Sequence, residues 1–316
     1  MKLIKTQFSY AALIALITLI AATFAAAQAP APVDYSKTEI KATKLSDNFY
    51  TLQSVPTLQR PGGTMGALVG PDGVLMIDNQ FGPLSDKIVA TVKTISNTPI
   101  RFMVNTHLHG DHTGGNENFG KMGVVLFARD EVRNRLAGPL ANGPYGTNGK
   151  PYAAVALPMI TYEGPVTFHM NGEEVELVPI LRAHTDGDTL VRIKKGDIIM
   201  CGDFFRSSGY PNIALAEGGT LKGMLEGLNY LIGIAGPNTR IVPGHGEAVG
   251  KEDIIAHRDM IVAIRDRVAQ MVAQGKTVDE VLAAHLTSEY DVRVPIAKET
   301  ADRFVGQVYS ELKPSK

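Results

Sequence analysis

The chain has a single cysteine, Cys201, among 316 residues. That excludes an internal disulfide and any multi-cysteine zinc module, leaving histidine and carboxylate side chains as ligands if metal is bound. A basic excess is also missing: Lys+Arg 31 stand against Asp+Glu 32, a net charge of −1. Without it the chain has no electrostatic footprint for nucleic acid. No internal repeat of solenoid period is evident either. What remains is a globular composition, 44% hydrophobic and 20% charged, in a chain long enough for one large domain or two ordinary ones.

The first residues read as an address rather than as fold. Lys2 and Lys5 form a basic start, Tyr10 to Ala22 is apolar, and Ala25-Ala26-Ala27 offers small residues to a signal peptidase. Residues 1–27 are therefore expected to be a cleaved signal peptide, and residues 28–38, with Pro30 and Pro32, an extended linker. The alternative is an uncleaved anchor, since the apolar run approaches the ~18 residues that span a bilayer. Cleavage would remove two lysines and no acid, moving the net charge from −1 to −3. The expected location is the periplasm or the exterior, with no stable membrane association after cleavage.

Residues 39–316 are expected to form the folded domain. Gly66 to Val69, the Gly70-Pro-Asp-Gly73 turn and Val74 to Ile77 read as a buried hairpin. A helix from Pro83 to Ile95 precedes a short strand, Ile100 to Val104, and Val124 to Phe127 followed by a helix near Glu131 to Leu136 repeats that order. Val166, Phe168 and Met170 alternate with polar residues before an Asn171-Gly172 turn, and Val175 and Leu177 alternate on the return. Leu190 to Ile193 and Ile198 to Cys201 flank another turn. Behind Gly250 a helix presents Ile254, Ile261, Ile264, Val268 and Met271 on one face, with Gly275 as its stop; Thr277 and Glu280 form a capping box for the next helix. Two strand-rich halves, each with helices, indicate a layered α/β sandwich.

Chemistry concentrates directly behind the strand that ends at Val104. In Asn105-Thr-His-Leu-His-Gly-Asp-His-Thr-Gly-Gly115, His107, His109, Asp111 and His112 fall within six residues. Imidazole with carboxylate is a donor set that zinc accepts, and one loop can turn such side chains to a point. Gly110 relieves crowding in the turn, while Gly114 and Gly115 let the backbone pass close by.

This run resembles the His-x-His-x-Asp-His signature of the metallo-β-lactamase superfamily. The resemblance implies further ligands in a set order: Ala183-His184-Thr-Asp-Gly187, Cys201-Gly-Asp203 and Val242-Pro-Gly-His245-Gly246 supply them. Five of the eight histidines are thus in motif positions. It implies a four-layer αββα fold and two zinc ions, other divalent metals being possible. His107, His109 and His184 would hold the first ion, Asp111, His112 and His245 the second, and Asp203 would bridge both. Hydroxide between the ions would be the nucleophile.

The other candidates have plainer readings. His257, on the apolar helix face, and His285, four residues behind Val281, read as packed or interfacial, and His169 as solvated. Cys201 reads as a buried, inert thiol. Asp78 stands where similar proteins keep a carboxylate that orients a ligand histidine, with a turn residue as the alternative. Asp186 and Asp188 read as loop residues around His184. Residues 55–63 are expected to overhang the metals as a flap. In the Phe204 to Ile213 loop, which holds Arg206 and Asn212, Tyr210 is the candidate catalytic donor to a developing oxyanion, as a tyrosine is in similar lactonases; its ordinary reading is an amphipathic loop anchor. Asp111 is counted both as ligand and as catalytic residue.

The resemblance implies a dizinc hydrolase attacking a cyclic amide or ester, lactamase-like, with a small-molecule substrate carrying a hydrolysable acyl bond, and the N-terminal segment adds export. A lactonase or esterase shares all seven ligands, including the bridging aspartate that the established lactamase subclasses lack. A glyoxalase II-like thioesterase shares the ligands, but its fourth-histidine segment and glutathione-binding tail are not matched here. A silent metal-binding protein usually loses ligands, and none is lost.

Overall fold

Alternating side chains decide how the strands of this protein are used. In β11 (Ile198–Met200) and the residue after it, Ile198 and Met200 face one hydrophobic core, while Ile199 and Cys201 face another. β12 (Arg240–Val242) splits in the same way between Ile241 and Val242. Strands buried on both faces read as continuous apolar runs, and the period of two assigns each residue to a core.

The computed structural model describes residues 33–55, 62–139 and 150–313. The expected signal peptide lies outside these residues, as do residues 28–32 of the expected linker and 56–61 of the expected flap. Lys37–Lys316 form one unit. Its first sheet runs in the order β1 (Glu39–Lys44), β2 (Phe49–Val55), β3 (Met65–Leu68), β4 (Val74–Ile77), β5 (Ile100–Val104), β6 (Val125–Arg129), β7 (Ile160–Tyr162). It is antiparallel up to β4 and parallel from β4 onward. The second sheet runs β12, β11, β10 (Thr189–Ile193), β9 (Glu173–Pro179), β8 (Val166–Met170), with only β11 and β12 parallel.

Phe49, Leu75, Ile77 and Val104 of the first sheet pack with Val175, Val191, Ile198 and Met200 of the second to form the inner core. On its outer side the second sheet carries α5 (Leu221–Ile234), α6 (Lys251–Ala273) and α9 (Ala297–Leu312), through Leu228, Ile261 and Phe304. α1 (Ser85–Ile95) buries Ile88 and Val92, α3 (Asn116–Lys121) buries Phe119, and α4 (Asp130–Ala137) buries Val132 and Leu136. The expected hairpins and helices are present, and the Thr277–Glu280 capping box opens α7 (Val278–Ala283). His285 departs from expectation: α7 stops at Ala283, so the apolar face does not extend to it, and its side chain is exposed at φ 47°. Among the described residues no helix is long and apolar enough to cross a membrane.

Leu75 is fully buried in the inner core. Leu75→Ala should cost about 2–5 kcal/mol in urea denaturation, whereas Lys121→Ala, which removes only an exposed pair with Glu117, should change stability by less than ~0.5 kcal/mol. Equal midpoints for the two variants would contradict this assignment of the core.

Candidate metal centre

The donor residues all leave the ends of neighbouring strands. β5 ends at Val104, and the chain turns through His107 and His109 into the short helix α2 (Gly110–Thr113), which carries Asp111 and His112. His184 stands in the loop between β9 and β10, which the Thr189 amide ties to the Thr106 carbonyl at 2.8 Å. Asp203 lies in a 3-10 turn, Gly202–Phe204, behind β11, and His245 follows β12. A sheet fixes the spacing of its strand ends, so loops leaving them can place side chains with little freedom.

Seven expected ligands converge. His109 Nδ1 lies 3.2 Å from His107 Nε2 and 2.9 Å from His184 Nε2. His245 Nε2 is 3.1 Å from Asp111 Oδ2 and 3.3 Å from Asp203 Oδ2, and His112 Nε2 is 3.3 Å from Asp203 Oδ1. Asp203 Oδ2 also comes within 3.8 Å of His184 Nε2, so this carboxylate stands between the two groups. In each of the sets His107/His109/His184, Asp111/His112/His245 and His107/His112/Asp203 the donor atoms lie within 4.8 Å of one another. Tetrahedral donors on one zinc at ~2.0–2.1 Å lie about 3.3 Å apart. His112 Nε2 and Asp203 Oδ1 are moreover buried without an aligned hydrogen-bond partner. Such unmet buried donors and acceptors are rare unless something else satisfies them. The residues therefore fit metal binding.

The outward nitrogens of four of the five imidazoles are already engaged, which leaves their inward ones for metal. His112 Nδ1 pairs with Asp78 Oδ2 at 2.7 Å, His184 Nδ1 with the Asn212 carbonyl at 2.7 Å, and His107 Nδ1 with Thr106 Oγ1 at 3.1 Å. His109 Nε2 meets Glu217 Oε2 at 2.5 Å. Asp78 also accepts from the amide and hydroxyl of Thr106, so it is the orienting carboxylate rather than a simple turn residue. Glycine is required at two places: a Cβ on Gly63 would lie 2.2 Å from the His112 ring, and one on Gly244 would lie 2.0 Å from Asp203 Oδ1.

Burial, with the neighbouring imidazoles, holds His107 well below its ordinary value, and burial with His109 beside it takes His184 down to about 3. Burial also opposes charge on His112, but the carboxylates of Asp78, Asp111 and Asp203 outweigh it and hold this imidazole well above its usual range. His245 is raised in the same way by Asp203 and Asp111, and His109 by Glu217. Asp203 stays well below the usual carboxylate range despite burial because His245, His112 and Arg206 face it.

Tyr210 is the correction. Its ring is fully buried and stacks on Phe304 at 6.1 Å, and its hydroxyl donates to Asp291 Oδ1 at 2.7 Å and to the Thr287 carbonyl. An oxygen committed to the C-terminal helices cannot face an oxyanion over the ligand cluster, so Tyr210 is the loop anchor. Asp186 is likewise structural, bound by Arg135 at 2.8 and 2.5 Å. Asp188 accepts from the amides of His184 and Thr185 and holds that loop in shape. Cys201 is buried, and burial pushes its thiol up, which keeps it inert. His169 is exposed. Glu217 and Gln80 carry no motif and escape sequence reasoning. Gln80 accepts from Ser54 at 2.5 Å and donates to the Gly63 carbonyl at 2.7 Å, joining the two stems of residues 55–62. A cavity of about 460 Å³ opens over the cluster, bordered by Glu217, Arg206, Leu215 and Gln307.

A family model, described as the metallo-beta-lactamase superfamily, matches residues 61–245. The chain belongs to this superfamily. Among solved structures, a metallo-beta-lactamase from Pontibacter korlensis superposes with a TM-score of 0.58 at 20% identity, over 71% of this chain and 99% of its own. The metallo-beta-lactamase IND-7 gives 0.57 at 17% identity, over 72% and 100%. At such identities the likeness speaks for the αββα fold alone. Within the superfamily fold, Glu217 reaches His109 from a loop 108 residues away in sequence. Glu217→Gln and Asp78→Ala should each weaken zinc binding by about 10–100-fold in competition with a fluorescent chelator, and Leu215→Ala, on the same loop as Glu217, should not. Unchanged affinity in the first two would remove their orienting role.

Proposed function

We propose that the protein is an exported, dizinc hydrolase that opens a cyclic amide or ester, lactamase-like in its chemistry. The observation that carries this reading is the pair of donor triads with Asp203 between them. Bound zinc would supply Lewis acidity to the scissile carbonyl and to the attacking water. His107, His109 and His184 would hold one ion, and Asp111, His112 and His245 the other. Asp78 and Glu217 keep two of these imidazoles in the tautomer that leaves a lone pair inward.

The cavity supports a small acyl substrate. Ile213, Ala214 and Leu215 give it an apolar wall, and Arg206 brings a guanidinium to within 3.8 Å of Asp203. A substrate with an apolar body beside a carbonyl fits those walls, whereas a polyanion meets only isolated cations. Tyr210, the donor that a lactonase reading would use, is withdrawn from the site. The bridging position of Asp203 keeps the ester reading as the second choice. Export rests on the apolar, alanine-ended N-terminus.

Nitrocefin, an acyl-homoserine lactone, an aryl ester and a thioester assayed in parallel on zinc-loaded enzyme should show chelator-sensitive turnover, highest on the cyclic substrates. His107→Ala and Asp203→Ala should fall to the rate of the chelated control while remaining soluble. Wild-type rates in either variant would refute the ligand assignment, and turnover of the thioester alone would refute the substrate reading.

A further inference from the structure

A second cavity, of about 330 Å³, lies between the Phe205 to Gly209 loop, the first half of α6 and residues 290–295. That volume falls in the range of small-molecule sites. Phe205, Met260 and Val294 give it an apolar lining, and Arg206 belongs to its wall as well as to that of the metal cavity. None of the sequence motifs accounts for it.

Two polar atoms in this wall are not satisfied among the described residues. Arg206 Nε and His257 Nε2 are buried without a hydrogen-bond partner. The His257 ring stands edge-on to Phe205 at 5.0 Å, and burial takes its pKa down to about 4, so it contributes no charge at neutral pH. The charge balance of the wall is nevertheless positive. Asp253, its one carboxylate, already accepts from the Gly250 amide at 3.0 Å to cap α6. The one ion pair of Arg206 among the described residues is to Asp203, at 3.8 Å, whose oxygens the candidate metal ligands share. Arg293 lies over the Tyr290 ring at 5.8 Å and has no ion pair among the described residues. An anionic head with a compact apolar body would satisfy both the guanidinium groups and the lining.

We infer that this cavity binds a small organic acid, with its single carboxylate toward Arg206 and Arg293 and its apolar body against Phe205, Met260 and Val294. None of the seven candidate ligands lines this cavity, although Arg206 also faces Asp203, so binding should persist without zinc. Arg293 is exposed and Ala256, which also lines the cavity, faces solvent on α6. Both can therefore be replaced without disturbing a core.

Phenylacetate is the probe, titrated by calorimetry into the full-length protein with zinc bound and again after chelation. One saturable site is expected in both states. Arg293→Ala should weaken it about tenfold or more, Arg293→Lys should recover part of the loss, and Ala256→Phe should block the cavity and abolish binding. Phenylacetamide, which lacks the charge, should bind more weakly than the acid. The inference is overturned if phenylacetate does not saturate, if binding disappears with the metal, if the amide binds equally well, or if Arg293→Ala and Ala256→Phe leave the affinity unchanged. None of these outcomes depends on the hydrolase reading.

Discussion

Asp78, buried at the end of β4, accepts three hydrogen bonds, from the amide and hydroxyl of Thr106 and from His112 Nδ1. The first two pin the start of the loop behind β5, and the third fixes a ligand imidazole at its end. Everything between, His107 through Asp111, is held by this clamp. Breaking a buried pair from one side leaves an uncompensated group and costs roughly 3–5 kcal/mol. Asp78 and Gln80 both have left-handed backbone, at φ 59° and 53°. Such non-glycine conformations cost on the order of 1–3 kcal/mol each and persist where side chains over-determine them. Here Asp78 is bound to the ligand loop, Asn79 to Asn116 and the Gly115 amide, and Gln80 to Gly63 and Ser54. Three consecutive side chains thus tie a strained turn to the metal ligands and to the stems of the neighbouring loop.

The parts of the fold legible in the sequence are those governed by local periodicity. Ile100 to Val104 is a strand with the expected ends, and the Asn171-Gly172 turn joins β8 and β9, because alternation and turn chemistry act within a few residues. The ligands were legible for another reason: the metal demands particular donor types, and a loop behind a strand can supply several of them within six residues. What was not legible arrives through space. Glu217 reaches His109 only because the His184 loop and the loop after Ile213 are bonded together, through Ala214 to the His184 carbonyl and Asp186 to the Glu217 carbonyl. The Asn212 contribution is a backbone carbonyl, which no side-chain pattern can announce. Tyr210 failed in the opposite sense. It is seven residues behind Asp203, but its loop turns it into the helical core, where Asp291 and Phe304 receive it.

The two triads are not equivalent chemically, and the asymmetry follows from what surrounds them. His107 and His184 are held neutral by burial and by other imidazoles. His112 and His245 face Asp78, Asp111 and Asp203, and without metal they retain protons to higher pH. The carboxylates facing His112 and His245 thus favour charge on these two imidazoles, which burial alone would oppose. The same carboxylates would attract a dication placed among them. His109 belongs to the first triad but shares part of the second one's character, because Glu217 favours its charged form from outside while Nδ1 stays inward. A carboxylate behind a ligand imidazole thus acts twice: it selects the tautomer that can bind metal, and it makes that nitrogen a stronger donor.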